Sequence, residues 1–258
     1  MRGLTLIIFG IEGIGKTSFA LQFPKPLGII PIREPGFDNL DMVGEVPKDV
    51  HPFRIKTYED LCIAVEACQH KTLVIDSLSG YQEILVKHVT DNFYDGNSKK
   101  FDAYYSGMRQ TCPKVVSQFV DILDFKASQG TNIILLAHRQ VDVDPDASGP
   151  DTKIQTLFGD HAVMGPFLKW AQAILFMSGK KSIDINTKTA GYGENTKVLE
   201  GKAASSVTRL MYTSFSGNHV AKNLLHLPPV INMGNSAPES YIKFIEALPE
   251  KIRNRLKA

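Results

Sequence analysis

The 258-residue chain has little of what would place it in several protein classes. Its three cysteines, Cys62, Cys68 and Cys112, form no C-x-x-C pair, which argues against a disulfide framework and for reduced thiols. Cys62 and Cys68 stand six apart on an expected helix and do not share a face, so all three read as core fillers. An excess of charge of one sign is also missing. The formal net charge is +2, too small to argue by itself for a polyanionic partner. No apolar run approaches the roughly 20 residues of a membrane span. The first such run, residues 4–9, is too short for a signal-peptide core and has no small-residue cleavage site, so a cytoplasmic location is expected. His51, His70, His88, His161, His219 and His226 show no metal-ligand spacing. Asp142, Asp144 and Asp146 resemble a calcium loop only in part, because Ala147 stands at the glycine position and Lys153 where a bidentate glutamate is needed. They read as solvated loop acids. Neither an internal repeat nor a low-complexity tract occurs.

Alternating strands and helices are present. Residues 4–9, 27–32, 72–75 and 132–137 are short apolar runs, as expected of strands covered on both faces, and residues 51–55 suggest an edge strand. Helices are expected from Lys16, over 57–69, 81–93 and 113–128, and over 240–256 with a break at Pro249. Val115, Val116, Phe119, Ile122, Leu123 and Phe125 mark a buried stripe on the fourth of these. Residues 141–153 read as a loop, 171–177, 207–213 and 219–222 as later strands, and 179–206 as a hairpin or loop. The fold class is α/β, a mainly parallel sheet with helices on both faces and later antiparallel strands. One core over 1–235 and a C-terminal helical tail over 236–258 are expected.

Gly10-Ile11-Glu12-Gly13-Ile14-Gly15-Lys16-Thr17 matches G-x-x-x-x-G-K-[ST] in full, after a strand and at the start of a helix. Glycines let the backbone curl so that successive N–H groups converge on phosphate oxygens. Lys16 suits the terminal phosphates, and the Thr17 hydroxyl suits Mg²⁺. Asp76 ends a buried strand and is the expected second holder of Mg²⁺. The expected ligand is ATP with Mg²⁺. Glu34, just beyond the second strand, is the candidate for orienting or deprotonating water. Glu12 lies inside the loop, with a side chain that need not face the phosphates. His138, at the end of the strand 132–137, is a candidate sensor of the terminal phosphate.

These segments, with Ile32-Arg33-Glu34, Val74-Ile75-Asp76-Ser77, Ala137-His138-Arg139, the run 165–176 and Val220-Ala221-Lys222-Asn223, resemble the RecA-like core P-loop ATPases. The chain looks most like small phage-type AAA-domain proteins of single-strand annealing and recombination. The resemblance implies a sensor strand between the phosphate-loop and Asp76 strands, Glu34 as catalytic glutamate and His138 as sensor. It further implies a DNA-facing loop over about 141–163 and a homo-oligomer with ATP at subunit interfaces, where Lys222 reaches a neighbour's terminal phosphate. Leu224 stands where the family pattern carries a basic residue, which leaves that role to Lys222 alone. The loop carries Asp142, Asp144, Asp146, Asp151 and Asp160, which oppose phosphate contact; Lys153, Phe158, His161 and Lys169 are its cationic and stacking residues.

The function expected is ATP binding and hydrolysis coupled to single-stranded DNA. A non-hydrolysing ATP-dependent adaptor is an alternative. A small-molecule or nucleotide kinase is a poorer one, since its lid needs an arginine and residues 179–206 carry lysines only.

Overall fold

The computed structural model describes residues 2–143, 153–157, 159–189 and 197–257. Every residue of β1 (Thr5–Gly10) is buried, because this strand is central and helices cover both faces of it. It pairs in parallel with β5 (Asn132–Val143) on one side and β7 (Ala173–Thr189) on the other. Beyond β5 come β4 (Thr72–Asp76), β2 (Leu27–Pro31) and β3 (Val50–Pro52), all parallel. Beyond β7 come β8 (Lys197–Tyr212) and β10 (Val230–Gly234), both antiparallel. The strand order is β10-β8-β7-β1-β5-β4-β2-β3, with β6 (Lys153–Leu157) paired to β5 and β9 (Lys222–Asn223) to β7. The fold is therefore α/β, a mainly parallel sheet followed by antiparallel strands. The strand carrying His138 lies between those of the phosphate loop and Asp76, as the resemblance implies.

Alternation along β1 divides the interior into two layers. Ile7 and Phe9 face one side, with Ile133, Leu135 and Ile75, under α3 (Tyr58–Ala67), α4 (Leu78–Phe93), α6 (Cys112–Ser128) and α7 (His161–Trp170). Leu6 and Ile8 face the other, with Ile134, Leu136, Leu175 and Met177, under α1 (Lys16–Ala20), α8 (Ala237–Ala247) and α9 (Glu250–Lys257). Phe244, Ile245, Leu248 and Leu256 of the terminal segment are buried in this second layer, where Phe244 meets Phe19 edge-on. Fully burying one such side chain contributes about 1.5–3 kcal/mol.

Several expectations need correction. On α6, Val115, Val116, Phe119 and Leu123 are buried, but Phe125 is 62% exposed. Six residues past Phe119 is most of two turns, which carries Phe125 off the stripe. Residues 141–153 are not wholly a loop, since β5 continues to Val143 and pairs with β6. Asp142 lies on that strand, accepting a hydrogen bond from Gln140 Nε2 at 2.9 Å and facing His161 Nε2 at 3.5 Å. Asp144, Asp146, Asp151 and Phe158 lie outside the described residues, and α7 begins at His161, inside the expected DNA-facing segment. The strand expected over 219–222 shrinks to a bridge between Ser216 and His219 and the two-residue β9. Residues 173–189 and 197–212, as β7 and β8, pair as a long antiparallel hairpin. α2 (Gly36–Met42), α5 (Ser98–Asp102), α7 and β10 were not expected, because short elements with glycine or proline near their ends carry weak periodicity.

Among the described residues no helix is long and apolar enough to cross a membrane.

Candidate nucleotide site

Strand register builds the site. Gly10 closes β1 and stands opposite His138 of β5 on one side and Met177 of β7 on the other. A Cβ on Gly10 would fall 2.2 Å from the Met177 carbonyl oxygen, so only glycine fits where the loop leaves the sheet. Gly13 and Gly15 take φ of +71° and +97°, left-handed values that other residues adopt at a cost. These bends curl residues 10–17 back over the end of β1.

Lys16 is buried. Its Nζ donates to the carbonyls of Gly10 and Ile11, both at 3.0 Å, which folds the side chain over the loop. Burial holds its pKa below the ordinary lysine value, opposed by the charges of Asp76, Glu12 and Glu34. A desolvated ammonium among backbone dipoles is ready to meet an anion. Thr17 Oγ1 donates to Asp76 Oδ2 at 2.7 Å. Asp76 is the last residue of β4 and almost wholly buried, and burial pushes its carboxyl above the usual range; the Thr17 hydrogen bond opposes this and Glu34 adds to it. A Cβ on Gly36 would come within 3.2 Å of Thr17 Oγ1 and 4.0 Å of Asp76 Oδ2, so glycine there keeps the approach to both oxygens open. A hydroxyl and a carboxylate converging on one open point are hard oxygen donors suited to Mg²⁺. The residues present thus fit a magnesium nucleotide. Thr17 and Asp76 would hold the cation, which would neutralise phosphate charge there, while Lys16 and the loop amides would hold the phosphates.

Glu34 follows β2 in a turn where Arg33 has φ +56°. Its Oε1 accepts hydrogen bonds from Ser77 Oγ at 2.8 Å and His138 Nε2 at 2.6 Å. Ser77 also accepts from the Gly80 amide at 3.4 Å, capping α4. Gly80 packs so closely that a Cβ would lie 2.1 Å from the Ile32 carbonyl oxygen, which brings the start of α4 onto the Glu34 turn. His138 Nδ1 faces Glu12 Oε1 at 3.4 Å, an ionic contact without hydrogen-bond geometry, and Glu12 is otherwise exposed. The imidazole thus lies between two carboxylates. Its hydrogen bond to Glu34 raises its pKa against the effect of burial. For Glu34 burial is the largest influence and acts upward, yet the bonds from His138 and Ser77, with the nearby charges, bring it below the ordinary value.

The structure thus gathers Glu12, Gly13, Gly15, Lys16 and Thr17 of the loop with Glu34, Asp76 and His138 around one cleft of about 520 Å³, also lined by Pro35, Gly36, Asn39 and Leu40; Gly10, Ile11 and Ile14 do not line it. Lys222 is elsewhere. It lies on β9 opposite Ile174, three residues along β7 from Met177, or about 10 Å toward the other end of the sheet. Its Nζ donates to the carbonyls of Leu168 at 3.1 Å and Lys169 at 2.7 Å, closing the last turn of α7. Sequence reasoning passed over Ser77 and Gly36 as parts of the site. A serine three residues before Gly80 was a readable capping signal; nothing local marked Gly36.

No curated protein matches the chain. Among solved structures it is distantly similar to the RadB recombinase, with a TM-score of 0.38 and 11% identity over 68% of this chain and 74% of that one. It is likewise similar to the flagellar accessory protein FlaH from Methanocaldococcus jannaschii, with a TM-score of 0.37 and 9% identity over 82% and 77%. A family model described as an AAA domain matches residues 2–225, a span that holds the phosphate loop, Glu34, Asp76, His138 and every strand from β1 to β9. The chain belongs to the AAA domain family.

Proposed function

We propose that this protein binds Mg·ATP at residues 10–17 and hydrolyses it, with Glu34 as the general base. The observation that carries this reading is the carboxylate of Glu34, fixed by Ser77 and His138 in the same cleft as Lys16, Thr17 and Asp76. A base held by two donors and kept ionised can orient a water and accept its proton while Lys16 and the cation meet the phosphate charge. His138, bonded to that base and close to Glu12 of the loop, would couple the terminal phosphate to the strand that follows it.

The finer reading is that hydrolysis is tied to single-stranded DNA in recombination or annealing, within a homo-oligomer whose active site Lys222 completes from a neighbouring copy. Its support lies in the resemblance over 3–230 and in the placement of Lys222, too far along the sheet to serve its own loop. A cleft of about 570 Å³ beyond the sensor strand, lined by Arg139, Tyr212, His219 and the 65% exposed Phe215, offers the aromatic surface on which bases stack.

ATP turnover with and without single-stranded DNA tests both levels, in wild type, Lys16→Ala and Glu34→Gln. Loss of a general base lowers turnover by about 10²–10⁴-fold. Glu34→Gln is expected to fall in that range while still binding ATP, and Lys16→Ala to lose binding. Turnover unchanged in Glu34→Gln would remove Glu34 as the base. Turnover indifferent to DNA would remove the recombination reading and leave the nucleotide site standing.

A further inference from the structure

A second cleft opens from the phosphate site past Ser18 and Leu40, which line both. It measures about 530 Å³ and is bounded by Gln22, Glu45, Arg209 of β8 and the segment 235–238 that enters α8. We infer that this cleft receives the nucleoside of the bound nucleotide, with Arg209 contacting it where it joins the phosphates. The inference rests on the reading of residues 10–17 as a nucleotide phosphate site and adds to it the residues that would tell a nucleotide from bare polyphosphate.

Position is the first argument. A Cβ on Gly15 would lie 2.9 Å from Arg209 Nη1, so the guanidinium rests against the last glycine of the loop. Direction is the second. Glu34, His138 and Asp76, the groups suited to the terminal phosphate and its cation, line the phosphate cleft and not the second one. The rest of the ligand must leave by another way, and Ser18, the residue after Thr17, borders the second cleft.

Chemistry is the third. Arg209 donates through Nη2 to the Asn235 carbonyl, which anchors one edge of the guanidinium. Among the described residues it pairs with no carboxylate, so its other N–H groups remain for a ribose oxygen, or its face for a purine ring. Leu40, Pro47 and Pro238 give the cleft apolar surface, while Gln22 and Ser236 give it hydrogen-bonding edges. Ser18, Glu45 and Asn235 add further polar groups, so the lining is about half polar, a mix that suits a base and a ribose together. The volume lies within the usual range of about 300–1,000 Å³ for a small-ligand site. Arg209 comes from the β7–β8 hairpin rather than from the loop, so the site joins parts of the chain almost 200 residues apart, 15 and 209.

Calorimetric titration with ATP and with inorganic tripolyphosphate, each with Mg²⁺, tests this on wild type, Arg209→Ala, Ala237→Leu and Lys16→Ala. Losing a hydrogen bond to a charged group weakens binding by about tenfold or more. Arg209→Ala should therefore lose about tenfold for ATP and little for tripolyphosphate. Ala237→Leu narrows the cleft but leaves the guanidinium and its Asn235 contact in place, and should show the same selective loss even if Arg209→Ala fails to fold. Lys16→Ala should lose both ligands. Equal losses for both ligands in Arg209→Ala and Ala237→Leu, or ATP affinity untouched in either, would overturn the nucleoside cleft. Wild type binding tripolyphosphate as tightly as ATP would do the same and leave the phosphate loop standing. Wild type binding neither would instead sink the phosphate-site reading itself.

Discussion

The contact between Glu34 and His138 can be weighed by a double-mutant cycle of Glu34→Gln, His138→Ala and the pair. The two side chains are 19% and 23% exposed and 2.6 Å apart, so solvent screens them only in part. A hydrogen bond between charged groups in such a setting contributes about 1.5–3 kcal/mol, and one between neutral groups about 0.5–1.5 kcal/mol. The sign with pH follows from the two shifts. His138 is raised above its ordinary 6.5, so its share is full below that value and is lost as pH rises through the folded pKa. Glu34 is lowered from its ordinary 4.5, so its share is full above that value and is lost as pH falls through the folded pKa. The ion pair therefore contributes fully between those two ordinary values and fades on either side. Urea unfolding of the four proteins at about pH 5.5 should give a coupling of about 2 kcal/mol. At about pH 9, where a neutral imidazole can still donate, it should fall to about 1 kcal/mol or less. Glu12, Lys16 and Asp76 surround the pair, but their effects cancel in the cycle unless they move with it. A coupling equal at the two pH values, or one below about 0.5 kcal/mol at the lower, would refute the argument.

Other outcomes follow from the same geometry. Asp76→Asn should weaken ATP binding in Mg²⁺ by about tenfold or more and change binding in EDTA much less; equal losses in both would remove Asp76 from the metal site. Phe119→Ala should cost about 3–5 kcal/mol in denaturant unfolding, whereas Phe125→Ala should stay within about 0.5 kcal/mol. Comparable losses would place both rings in the core.

The phosphate loop and the Asp76 strand were legible because their chemistry is local. A glycine-rich turn followed by Lys-Thr, and an apolar run ending in aspartate, each fit within ten residues. The central strands were legible for the same reason, being apolar throughout. What escaped was set by distant partners. β5 runs on to Val143 because β6 is there to pair with it, although residues 141–153 read as a loop. Phe125 is as hydrophobic as the stripe residues, but its helical phase turns it to solvent. Arg209 carries no motif, and only the hairpin places it against Gly15. Ser77 follows Asp76 at the polar end of the apolar run, but its tie to Glu34 depends on α4 approaching Ile32 at Gly80.

The neighbours of β1 also set when the site can exist. Gly10 is held between residue 138 and residue 177, so the loop cannot be fixed until the chain has closed across both distances. Loop closure of that span precedes any reward from the contacts it makes, which slows the step. During synthesis the loop, made before the strands that fix it, would become functional only after they emerge. Nucleotide, binding only after that closure, would then act on the newly made chain as a latch, drawing the population toward the closed sheet by mass action.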